Sequence, residues 1–135
     1  MSEPESQPFV LAMLVCDVAI TEAGSNKKTL VGIFDKISTH VIPAIHRPFW
    51  LYAKLADLRG RHTLQIDLVH LATEKKIATL GAEAVGPVDS MENFDFAIPI
   101  PPITLPFEGS YEFQMFSDGL FIGRAVMTLV QLTKE

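Results

Sequence analysis

The chain has one cysteine, Cys16, one tryptophan, Trp50, and fewer bases than acids. A lone cysteine closes no internal disulfide, and such usage points to a reducing compartment. The 135 residues form a chain long enough to bury ~65–70% of its unfolded surface, so packing can hold it without crosslinks or metal. Lys and Arg number 11 against 16 Asp and Glu, for a formal net charge of -5. The bases are scattered, with Lys27-Lys28 and Lys75-Lys76 as the longest runs. Nucleic-acid binders draw most of their affinity from neutralising phosphates, so the composition excludes nucleic acid and anionic membrane as expected partners.

Long apolar runs are missing as well. Phe9 to Cys16 is the longest, and Asp17 ends it; a membrane helix needs ~20 apolar residues. The acidic, proline-bearing start lacks the positive region of a secretory signal. The expectation is a soluble, cytoplasmic protein with a disordered leader over 1–8, one domain over 9–132 and a tail over 133–135. Chemistry-bearing motifs are absent too. There is no Cys-x-x-Cys, no His-Glu-x-x-His, no Gly-x-Ser-x-Gly and no phosphate- or dinucleotide-binding glycine pattern.

What the sequence does contain is short alternating segments punctuated by glycine and proline. Phe49, Leu51, Ala53 and Leu55 alternate with Trp50, Tyr52, Lys54 and Ala56, which places the two sets on opposite faces of a strand. Leu64, Ile66 and Leu68 alternate in the same way after Asp57–Arg61, read as a hairpin connection. Phe94, Phe96, Ile98 and Ile100 run into Pro99, Pro101 and Pro102, which predicts a strand that sits at an edge or leaves the sheet, because proline donates no N–H. Asp118-Gly119 between two alternating runs predicts a type I′ hairpin. Phe9 to Thr21 is apolar on both faces. Ala12, Leu14, Cys16, Val18 and Ile20 are assigned to one core, and Leu11, Met13 and Val15 to a second apolar surface. Gly32 is read as a bulge, 44–48 as a loop, and helix has room only in 9–16 and 89–93. The sum is an all-β fold: a single antiparallel β-sandwich, immunoglobulin-like or jelly-roll-like, of about eight strands.

Several segments together carry a resemblance: Leu14-Val-Cys-Asp17, Leu30-Val-Gly-Ile-Phe-Asp35, Tyr52-Ala-Lys-Leu55, Gly109-Ser-Tyr-Glu-Phe113 and Phe121-Ile-Gly-Arg124. Over most of 9–132 the sequence resembles a family of small bacterial proteins of unknown function. The resemblance implies a compact antiparallel sandwich and carries over no activity and no site residue.

The candidate chemistry is sparse. His40 and His46 flank a loop. His62 and His70 share a strand face but lie ~27 Å apart at 3.3 Å per residue, too far to share a metal. No metal or other cofactor is expected. Cys16, within an apolar run, reads as a small buried hydrophobe rather than a nucleophile. Asp17 reads as half of a structural ion pair, with an arginine such as Arg124. Glu83, Asp57 and Asp67 supply carboxylates without a spacing that selects a glycosidase pair. No catalytic residue is assigned. Trp50, Tyr52 and Lys54, on the face opposite the core set, form the candidate interaction surface. The functional expectation is a non-catalytic interaction or structural module that self-associates or docks to a protein. The alternatives are a small-ligand or carbohydrate-binding module and, further off, an enzyme of unrecognised type.

Overall fold

The structure is a computed structural model and describes residues 8–85 and 93–133. Of the leader expected over 1–8 and the helical room at 89–93, residues 1–7 and 89–92 lie outside the described residues; Pro8 is buried and Asn93 is not helical. Two sheets face each other. The first contains β1 (Phe9–Thr21), β2 (Lys28–Phe34), β5 (Phe49–Ala56) and β8 (Phe94–Ile100) in the order β2-β1-β5-β8. The second contains β3 (Lys36–Thr39), β6 (Arg61–His70), β7 (Lys75–Val85), β10 (Gly109–Ser117) and β11 (Leu120–Gln131) in the order β3-β11-β10-β6-β7. Strands β4 (Ala44–His46) and β9 (Ile103–Leu105) pair with each other. No helix occurs among the described residues. The fold is an all-β sandwich.

Alternation builds the core. Phe49, Leu51, Ala53 and Leu55 are buried, whereas Trp50, Tyr52, Lys54 and Ala56 are half-buried on the outer face. Facing them are Leu64, Ile66 and Leu68 of β6, Tyr111, Phe113 and Met115 of β10, and Met127 and Leu129 of β11. The Phe49 ring meets Phe113 edge-on at 6.0 Å and joins the two sheets. Each fully buried large side chain contributes ~1.5–3 kcal/mol relative to exposure, which is what an uncrosslinked domain rests on. Tyr111 adds a polar tie within the core: its hydroxyl accepts from the Phe107 N–H and donates to the Phe107 carbonyl.

Several expectations are corrected. The described residues contain eleven strands, not about eight, partly because 44–46 is a strand and not a loop. Pro43 and Pro48 exclude helix there, but neither lies within Ala44–His46, whose backbone is free to pair with Ile103–Leu105. Asp57–Arg61 is no hairpin. It carries the chain from the first sheet to the second, with Leu58 buried as a plug. Two alternating strands joined by five residues look the same within one sheet or across two. The second sheet is mixed, because β3 runs parallel to β11. Gly32 is not a bulge: the β1–β2 register continues unshifted across it. The 9–16 run is strand throughout. Pro99 does lie on an edge strand, β8.

Candidate interaction surface

The first sheet does not stay flat. Lys28, at the start of β2, pairs with Thr21 of β1. Asp95, on β8, faces Lys54 of β5, which faces Ala12 of β1. The two residues therefore sit at opposite edges of the sheet and nine residues apart along β1. In a flat sheet, nine residues alone amount to ~30 Å. Yet the Lys28 ammonium lies 3.6 Å from the Asp95 carboxylate. The inner face is filled by the second sheet, so the distal β1–β2 hairpin must fold back across the outer face.

Local chemistry marks the bend. Gly32 has φ +69°, and a Cβ there would run into the Asp17 carboxylate. This is a conformation and a close approach that suit glycine alone. Opposite, the Cys16 thiol lies 3.4 Å from the Val18 carbonyl two residues on, so the strand curls toward the outer side. At the far end Lys28 is clamped. It donates to the Asn26 carbonyl at 3.0 Å and faces Asp95, whose other oxygen accepts the Tyr52 hydroxyl at 3.0 Å. Burial, then the bond to Asp95 and its charge, push the Tyr52 phenol up to about 12. The Lys28 side chain is only 8% exposed although it stands next to a hairpin turn.

The fold-back sorts the hairpin's side chains. Ala19 is buried and Leu30, its partner across the strands, is half-buried. Their opposite face is uncovered: Val18 is 44% exposed, Ile20 51%, Val31 48% and Ile33 59%. Val18 and Val31 stand directly across from each other, so the four side chains form one aliphatic patch. The sequence reading assigned Ala12, Leu14, Cys16, Val18 and Ile20 to one core. The structure instead lines the core with Met13 and Val15 and sets Ala12, Leu14 and Cys16 on the outer side beside Lys54, Tyr52 and Trp50. It leaves Val18 and Ile20 in solvent, because the strand leaves the sandwich after Asp17. The usable signal was in β2, where Val31 and Ile33 give a two-stranded arm a second apolar face. Cys16, on the outer side of β1, is 0% exposed, and burial followed by the Asp17 charge pushes its thiol pKa up. Trp50 and Tyr52 lie outside the main core, as alternation predicts, but beside the arm rather than open to solvent. Lys54 shares their face and is half-buried.

The remaining titratable groups are tied into the scaffold. Asp17 pairs with Arg47 at 3.4 Å, not with Arg124, which instead bonds Glu112 at 3.1 Å. The topology explains this: Arg47 precedes β5 beside β1, whereas Arg124 lies on the outer face of the other sheet. Asp67 is buried on that same face. Burial alone would raise its pKa, but bonds from Gln65, Thr79 and Lys76 hold it below the usual carboxylate range. Asp57 pairs with Arg59 at 3.0 Å, and the side chain of Glu83 is outside those described. His70 is buried between Thr73 and the Glu108 carbonyl, and His62 contacts Asp118 and the Arg59 carbonyl. Ser117, His62 and Asp118 are close together, but Ser117 and Asp118 both contact Nδ1, so the trio has no relay from acid through imidazole to hydroxyl. His46 is edge-on to Phe49, and burial pushes its pKa down. It lines an open cleft of about 510 Å³ with Asp17, Lys36 and Arg47. Among the described residues no three His, Cys, Asp or Glu side chains are grouped to hold a metal, and no helix is long and apolar enough to cross a membrane.

Residues 11–130 match the family described as a family of unknown function, DUF6941. No curated protein matches the chain.

Proposed function

Because the chain belongs to this family of unknown function, no activity is inherited from relatives, and we propose from its own geometry that it is a non-catalytic, self-associating β-sandwich module. The observation that carries the reading is the uncovered aliphatic face of the folded-back hairpin: Val18, Ile20, Val31 and Ile33. Scattered exposed apolar side chains are ordinary, but a contiguous patch on the outward side of a latched hairpin marks an interaction site. The arm's other face is already packed and latched, so association requires no rearrangement of the fold. Trp50, Tyr52 and Lys54 then serve as the seat of the arm rather than as the docking surface.

Sedimentation velocity across a dilution series tests this. The wild-type chain should associate reversibly. Val18→Asp and Ile20→Asp should each shift it to monomer with little change in melting temperature, since both side chains are already half in water. A wild-type chain that stays monomeric at every concentration, or aspartate variants that associate as well as wild type, would overturn it.

A further inference from the structure

We infer that the partner of the aliphatic arm is a second copy of this chain, added strand to strand along β2, with Val31 on the two-fold axis. This rests on the self-association reading above and adds its geometry. The four sheet edges differ. β8 carries Pro99, β3 is only four residues long, and β7 opens with Lys75-Lys76. These are the usual protections against edge pairing. β2 and β7 each offer six residues with neither charge nor proline, Thr29 to Phe34 and Ile77 to Ala82, and of the two only β2 carries exposed large aliphatic side chains, Val31 and Ile33.

The backbone allows one parity of register. The Glu22 N–H donates to the Lys27 carbonyl at 2.8 Å, which makes Glu22 and Lys27 a bonded pair. Pairing continues from Thr21 opposite Lys28 to Val15 opposite Phe34. In an antiparallel ladder bonded and non-bonded pairs alternate. Lys28, Leu30, Gly32 and Phe34 therefore turn their peptide groups to the free edge. A second β2 can bond only even-numbered residues to even-numbered ones. Centred on Val31, the register sets Lys28 against Phe34 of the second copy and Leu30 against Gly32. It also sets Lys27 against Asp35, once at each end. Both are exposed, and neither has an ion-pair partner among the described residues. Sliding by one allowed step brings Lys27 opposite Ile33 or Ile37 and loses both charge matches. The symmetric register also merges the two aliphatic faces into one, as an isologous interface requires.

Single cysteines introduced into a Cys16→Ala background test the register. Val31 faces its own copy as a non-bonded pair, with Cα atoms ~4.5 Å apart, within disulfide range. Val31→Cys should crosslink to a dimer under mild oxidant, and Ile33→Cys alone should not. A mixture of Thr29→Cys and Ile33→Cys chains should form the mixed dimer. Lys27→Glu or Asp35→Lys alone should weaken the dimer by about tenfold, on the scale of two exposed pairs turned repulsive; the double reversal should restore it. If Ile33→Cys crosslinks as readily as Val31→Cys, or the charge reversals change nothing, this pairing is wrong. Should Val18→Asp still abolish association in that case, the aliphatic face stands as the interface while the β2 register falls. A wild-type monomer at all concentrations would remove both.

Discussion

At Asp118 and Gly119 the backbone takes φ of 49° and 86°, joining Ser117 to Leu120 through two residues. Both values are positive, as a type I′ turn requires. The turn also holds β6: the Asp118 carboxylate accepts the Thr63 N–H at 2.9 Å, and that bond, with the neighbouring His62, holds its pKa low. Glycine is the residue that takes such a φ without a steric cost. Gly119→Val should therefore cost ~1 kcal/mol or more, because a β-branched side chain resists the left-handed region. A thermal melt of the variant with no loss would contradict the assignment. Nothing lies within 4 Å of a Cβ built at Gly119, so the cost is conformational and not a clash.

The element that decides how this protein presents itself is the β1–β2 arm. Its distal part is held down by Ala19, Leu30 and the Lys28–Asp95–Tyr52 cluster, a small contact area beside the main core. Segments with few buried contacts open locally before the whole fold does. Asp95→Asn weakens the clamp on Lys28 while a polar side chain remains for Tyr52. It should speed amide hydrogen exchange within 18–31 and leave β5, β6 and β10 at wild-type protection. Uniform acceleration across the chain would mean that the cluster stabilises the sandwich rather than the arm. This is also where the sequence was least informative. In β5 a strict period of two, with Phe49, Leu51, Ala53 and Leu55 on one side and the polar-tipped Trp50, Tyr52 and Lys54 on the other, gave the correct phase. In β1 both faces are apolar, because the strand first lines the core with Met13 and Val15 and then serves an arm with two surfaces. Periodicity carries no sign of a bend, and the contact that reveals it, Lys28 with Asp95, joins residues far apart in sequence. The switch of sheets between β5 and β6 was hidden for a similar reason, since Leu58 looks like any turn residue until it is seen buried.

For the whole molecule, acid is the condition that loosens the ties within the second sheet, where β6 is bound to β7 through Asp67 and to the β10–β11 turn through Asp118. Asp67 and Asp118 have pKa values below those of free carboxylates. A depressed folded-state pKa contributes stability above the unfolded value, ~3.9 for Asp, and that contribution is lost as the pH falls through the folded value. Melting temperature should hold near neutrality and decline below about pH 4. Asp67→Asn should flatten part of that decline while lowering stability at pH 7, where the ionised form accepts from Gln65, Thr79 and Lys76. An acid limb of unchanged steepness in this variant would show that Asp67 is not a contributor.

Lys36 of β3 lies beside Thr128 of β11, a partner ninety-two positions later in the chain. On a ribosome, which delivers the chain from its first residue onward, β3 has no neighbour to join until β11 has been made. β8 likewise completes the first sheet only after β6 and β7 have begun the second. The nascent chain must therefore hold a half-built sandwich with open edges while the rest is synthesised. Closure late in synthesis places this protein among slow, topology-limited folders, with refolding on the ~ms–s scale of domains dominated by non-local strand pairing.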